Sequence, residues 1–451
     1  MAPPKAVVPK GRKYWLDNLR GVMTTIVILN HTAAAYGGGG THPHPAGFKK
    51  TSPILLPYVA FHYAYGLGQF FWLSGNLTAR SLAKGSWREF VKSKFLRLGL
   101  PALLYSVFLE PLQAIALRPR LQGGFRSNLK DYWKAVLEFK GWLTPGAGTV
   151  WYTMTLLIFD MVALLLTRCF NLYGNGLAKS SEFSKLAKVY GQLCRWGWLV
   201  VAASRFLVST KFPFGYELPV VNVQPYYLPQ HIHGYLLGYM AYYLGKPRMT
   251  SLYDKQSGPL GKLSMAKASA ISLSILPIVF LPSILRARES NKKNAGSEKK
   301  KGDQNNNKKA AGKAIGSDVL ADNPGSVQLS GWTSDAALFA LWNEFTFNTV
   351  GPAFMSLWER NYNKPGKQRL WSPRYAYAAY LLHSPISWFV GQGLHTLMCQ
   401  GGERPAWMDS ETWQNLGPLL MTTTAGYIEV AAAFGAGLLL IDYVPGAGAI
   451  L

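Results

Sequence analysis

Two residues in the apolar stretch YWLDNLRGVMTTIVILNH carry groups able to do chemistry, Arg20 and His31, eleven positions apart. On an α-helix that spacing leaves them about 20° apart in angle and about 16 Å apart along the axis, so they share one face at two depths. A neutral imidazole in dry surroundings accepts a proton from a hydroxyl near neutral pH. A guanidinium holds an anionic group such as a phosphate. Together they fit a long ligand with an anionic head and a reactive end. A packing histidine beside an arginine that snorkels to lipid phosphate satisfies the same pattern.

Other groups extend the constellation. In SWREFVKSKFLRLGLP, Lys94 and Arg97 are one helical turn apart, where they would meet a phosphate-rich ligand or anchor the chain at a membrane surface. His383 lies in YAAYLLHSPISW, and Asp17 and Glu344 are acidic groups available to orient or counterbalance the basic ones. No metal site is expected. His231 and His233 in QHIH are two apart and diverge on a helix, and GGGGTHPHP lacks the Lys-Ser/Thr ending of a phosphate loop. The three cysteines, Cys169, Cys194 and Cys399, form no metal or disulfide pattern.

The elements that must position these groups are membrane helices. Of the 451 residues, 49% are hydrophobic and only 15% charged, well below the charge of a soluble domain. Apolar blocks of about 18–25 residues recur, the length that crosses a bilayer as helix. Ten spans are expected near 16–36, 56–78, 96–117, 149–168, 194–210, 225–245, 266–285, 335–358, 374–395 and 417–442. The fold class is therefore all-α, a polytopic membrane helical bundle of about ten transmembrane helices. The net charge of +25 would suggest nucleic acid in a soluble chain. Here the cations sit mostly in short loops flanking apolar blocks, so lipid bilayer and not nucleic acid is the expected partner. The N-terminal segment and the 79–97 and 359–374 loops are basic, which places both termini in the cytosol. No cleavable signal is expected, the first span serving as its own insertion signal. Residues 286–330 are polar and repetitive, a disordered insert dividing the transmembrane domain into 1–285 and 331–451.

The order of local motifs resembles acyltransferase family 3, the multi-pass membrane acyltransferases that include the glucan biosynthesis protein C group. The opening Arg, ten residues, then His is similar to the family's first-span pattern; FFWLSGNLTARSL resembles its second-span ending and KFLRLGLP its Arg-x-x-Arg element. GTVWYTMTLLIFD resembles the Trp-Phe/Tyr opening of its fourth span, which brings Trp151 and Tyr152 into the candidate site. YAAYLLHSPI is similar to its ninth-span Tyr…His-x-Pro segment. Two departures stand out. Lys94 replaces an arginine, keeping the charge without the planar fork, and Thr149 and Val150 occupy a place where a histidine is frequent.

The resemblance implies O-acyl transfer from acyl-CoA, acetyl being the expected group, to a hydroxyl of a carbohydrate or small metabolite. His31 would be the catalytic base and Arg20, Lys94 and Arg97 would hold the co-substrate's phosphates. Asp17, Trp151, Tyr152, Glu344 and His383 would support or bind substrate. A transporter or flippase lined by buried ionisable groups is the alternative.

Overall fold

A computed structural model describes residues 13–37, 52–84, 86–109, 149–169, 181–218, 221–246, 263–298, 330–365, 370–399 and 405–451, with a few isolated positions besides. The described residues form helices and no strand. Helix α1 is Tyr14–Tyr36 and α2 is Leu55–Leu82. Helix α3 starts as Trp87–Lys94 and continues through Phe95–Gly99, Leu100–Leu104 and Tyr105–Leu109, of which the first and last are π-helical. Helix α4 is Val150–Cys169. Helix α5 joins Ser181–Gln192, Leu193–Gly197 and Trp198–Lys211. Next come α6 (Leu228–Tyr243), α7 (Met265–Glu298), α8 (Ser334–Asn361), α9 (Ala376–Met398) and α10 (Glu411–Tyr443), then a final turn, Ala447–Ile450. Each expected span thus meets one long helix. Helix α7 runs to Glu298, past the expected boundary at 286; the Arg, Lys, Glu and Ala there are good helix formers, and extending a helix already nucleated costs little. Residues 299–329, Glu110 and the GGGGTHPHP run beyond Gly37 lie outside the described residues.

Two helices, α4 and α10, are long and apolar enough to cross a membrane by length and composition. Others hold polar groups within their apolar lengths, and those groups point inward. Arg205, Glu344, Asn343 and Gln230 are fully buried, whereas Ile158, Leu165, Val200, Ile278, Leu420 and Leu439 are exposed. Charged and amide groups buried within, with large apolar side chains exposed outside, suit a hydrocarbon surround.

Helices α2 and α6 form the tightest pair. A Cβ added at Gly238 would lie 1.9 Å from the Trp72 carbonyl oxygen, and one at Gly75 would lie 2.1 Å from that of Tyr235. Small residues at these points let the two backbones touch, which is how helices gain dispersion energy where burial from water offers none. Asn76 seals the contact by donating to the Gly238 carbonyl at 3.2 Å.

Candidate active site

The register between α1 and α9 sets the site. Gly21 packs on Pro373, with 3.8 Å between the glycine's Cβ position and the proline Cα. The two helices run on from that point together, each rising about 1.5 Å per residue, so ten residues further along each chain reaches His31 and His383. Their rings lie 5.2 Å apart between centroids. Tyr63 of α2 meets His31 edge-on at 6.4 Å, and Tyr380 lies 5.6 Å from His383. His31 and Tyr63 keep partial exposure although they sit among helices; His383 is 2% exposed.

His383 is oriented by its own helix. Its Nδ1 lies 2.5 Å from the Tyr380 carbonyl oxygen. A carbonyl only accepts, so Nδ1 donates and the neutral ring keeps its lone pair on Nε2. Pro385, two residues on, has no N–H for the Leu381 carbonyl, its ordinary helical partner. That carbonyl accepts from the Thr149 hydroxyl at 3.4 Å, and the Tyr380 hydroxyl donates to the Thr149 carbonyl at 3.0 Å. The start of α4 is thereby docked beside the histidines. Tyr152 follows, its ring 5.5 Å from Tyr380 and its hydroxyl 2.7 Å from Ser74 Oγ. Trp151 faces the other way, stacked on His231 at 5.5 Å.

The sequence-based site therefore divides. His31 faces His383, and Tyr152 reaches His383 through Tyr380, while Arg20 stands about 16 Å from His31 along α1. Lys94 and Arg97 do not share an environment: Lys94 turns inward to Asp160 at 2.8 Å, where Thr78 and Tyr235 also donate to the carboxylate, while Arg97 is exposed. A π-helical segment begins directly after Lys94, so the ordinary helical spacing does not apply. Pro101 supplies no N–H to the Arg97 carbonyl, which accepts from Tyr377 at 2.7 Å. Glu344 pairs with Arg205 at 3.2 Å, inside a cluster completed by Asn343 and Gln230. Asp17 is in the first turn of α1, which is tied to the tail of α8 through Trp15 N–H to Asn363 and Asn18 to the Tyr362 and Lys364 carbonyls. His231 and His233 face different neighbours: His231 stacks on Phe71 at 4.3 Å, while a ring nitrogen of His233 lies 3.4 Å from the Leu193 carbonyl oxygen.

Residues that spacing alone did not bring to the site include Tyr63, Tyr380 and Glu429. Glu429, a lone carboxylate in the apolar run of α10, is 1% exposed. Its Oε2 accepts from Thr32, next to His31, at 2.5 Å and from Ser387, one turn beyond His383, at 2.8 Å. The isolated charge in an apolar segment was the available signal; which helices it would bridge was not.

No curated protein and no solved structure matches the chain. The sequence profile of the acyltransferase domain matches residues 13–428, so α1 through most of α10, with both histidines, falls within one domain. The chain belongs to acyltransferase family 3.

Proposed function

We propose that this acyltransferase moves a small acyl group, acetyl being the simplest, from acyl-CoA to a hydroxyl of a carbohydrate or small metabolite. The observation that carries the reading is the pair of imidazoles on α1 and α9, 5.2 Å apart and flanked by Tyr63 and Tyr380. His31, the more exposed of the two, is the general base. It removes the acceptor proton as the oxygen attacks the thioester carbon; the C–S bond breaks and the thiolate leaves, to be protonated from the imidazolium. His383 presents its Nε2 lone pair beside this centre and is the second proton carrier. Arg20, about 16 Å along the axis from His31, meets the phosphate end of the co-substrate, and the pantetheine arm spans the interval. Arg97 adds charge at the same end, while Lys94 is engaged by Asp160. The ten long helices are read as ten crossings with both termini in the cytosol, which puts Arg20 toward the cytosolic supply of acyl-CoA.

Purified protein incubated with acetyl-CoA and a metabolite extract is expected to release thiol and to form a product heavier by one acetyl group. His31→Gln and His383→Gln should each slow both signals by about 100-fold or more. Full activity in His31→Gln would overturn the assignment of the base, and solute movement without thiol release would favour a transporter.

A further inference from the structure

Helix α10 fills the groove behind the two histidine-bearing helices. Gly426 lies against α1, where a Cβ would meet Leu29 at 2.7 Å, and Gly437 lies against α9, where it would meet the Tyr375 carbonyl at 3.1 Å. Ile28, Ala378, Ala379, Val430, Ala433 and Phe434 make the seam apolar. Apolar seams of small residues hold helices together but set their axial register weakly, because sliding exchanges one methyl contact for another. A polar link in the seam has no such substitute.

At the Tyr375 end the tyrosine hydroxyl donates to Asp442 of α10 at 2.8 Å, and a link to all three helices lies beside the histidines. Glu429 Oε2 accepts from Thr32 of α1 and from Ser387 of α9. A single oxygen atom thus joins the residue following His31 to the residue four beyond His383. We propose that Glu429 is a positioning residue, whose carboxyl oxygen holds α1 and α9 in the register that keeps the two imidazoles together. The proposal rests on the reading of His31 and His383 as the reacting pair, and concerns how that pair is held. Glu429 acts on the pair through Thr32 and Ser387.

The requirement is for an acceptor oxygen at that length of side chain, which glutamine also supplies. Acetyl-CoA consumption by the purified full chain, read as thiol release in the presence of the metabolite extract, separates the possibilities. Glu429→Leu is expected to lower kcat about tenfold or more, since misplacement by about 1 Å costs up to about 100-fold, with KM for acetyl-CoA unchanged. Glu429→Gln should stay within about threefold of the parent. The double variant Thr32→Val, Ser387→Ala removes both donors without altering α10, and should reproduce the Glu429→Leu loss even if that variant does not fold. Unchanged kcat in the double variant, or a Glu429→Gln protein as slow as Glu429→Leu, would overturn the proposal. The reading of the histidines fails separately, through an active His31→Gln protein.

Discussion

Two polar centres among the described residues, one around Arg205 and one around His31, differ in how they are closed. Around Arg205 every group is sealed: Arg205, Glu344, Asn343 and Gln230 have no exposed surface, the guanidinium pairs with Glu344 and Asn343, and the rings of Tyr226 and Tyr227 cover it at 4.2 and 4.6 Å. Around His31 the rings of Tyr63 and Tyr152 and the histidine itself remain partly open, and their contacts are edge-on or tilted. The first centre has the geometry of a brace, and the second is the more open of the two. Ionisable groups inside a membrane protein invite functional readings indiscriminately; access separates those that can meet a substrate from those that only meet each other.

The largest effect that tests this contrast is on turnover. Replacing His31 or His383 by Gln should lower kcat by about 10²–10⁴-fold, the range for loss of a positioned acid–base group, while the thermal midpoint of the purified protein stays within a few degrees. A fall in midpoint parallel to the loss of turnover would make these histidines a second brace.

At the sealed centre the order of effects reverses. Arg205→Leu leaves Glu344 buried without its partner and should cost about 3–5 kcal/mol of stability, whereas Arg205→Leu with Glu344→Leu should regain most of it. Thermal unfolding in one detergent reads both. If the single variant kept its midpoint and lost turnover, the cluster would belong to the site after all.

The contrast also marks what could be read in the amino-acid sequence. Hydrophobic blocks located each long helix, because the apolar exterior is a local property of each segment. The Arg20–His31 face was legible for the same reason, since one helix carries both residues. What joined His31 to His383 was not local. It depends on Gly21 meeting Pro373 and on Thr149 filling the gap left by Pro385, contacts between residues hundreds of positions apart. Lys94 and Arg97 misled because an ordinary turn was assumed where the helix widens before Pro101. Glu344 and Glu429 are both carboxylates within apolar segments, and only the opposing helices show one paired with arginine and the other with two hydroxyls.

A smaller effect belongs to Arg20. Its guanidinium meets the co-substrate's phosphates in the proposed mechanism, and a charged hydrogen bond is worth about 1.5–3 kcal/mol. Arg20→Gln should therefore raise KM for acetyl-CoA about tenfold or more, with kcat changed much less. A selective loss of kcat would move Arg20 from the mouth to the reacting centre.

The smallest effect separates the two cations of α3. Arg97 is exposed, so its attraction for a phosphate is screened by salt. Arg97→Gln should raise KM for acetyl-CoA only about threefold at low ionic strength and not measurably near 0.5 M salt, with the thermal midpoint unchanged. The Lys94 ammonium pairs with Asp160, which is fully buried, and also donates to the Thr78 hydroxyl at 3.1 Å. Lys94→Met should therefore lower the midpoint, because the carboxylate loses its cation and keeps only Thr78 and Tyr235. Salt should not rescue that loss, since the pair it breaks lies away from the ions in solution. A KM effect of Lys94→Met that vanished in salt, with no change in midpoint, would return Lys94 to the phosphate site and leave Asp160 without its assigned counter-ion.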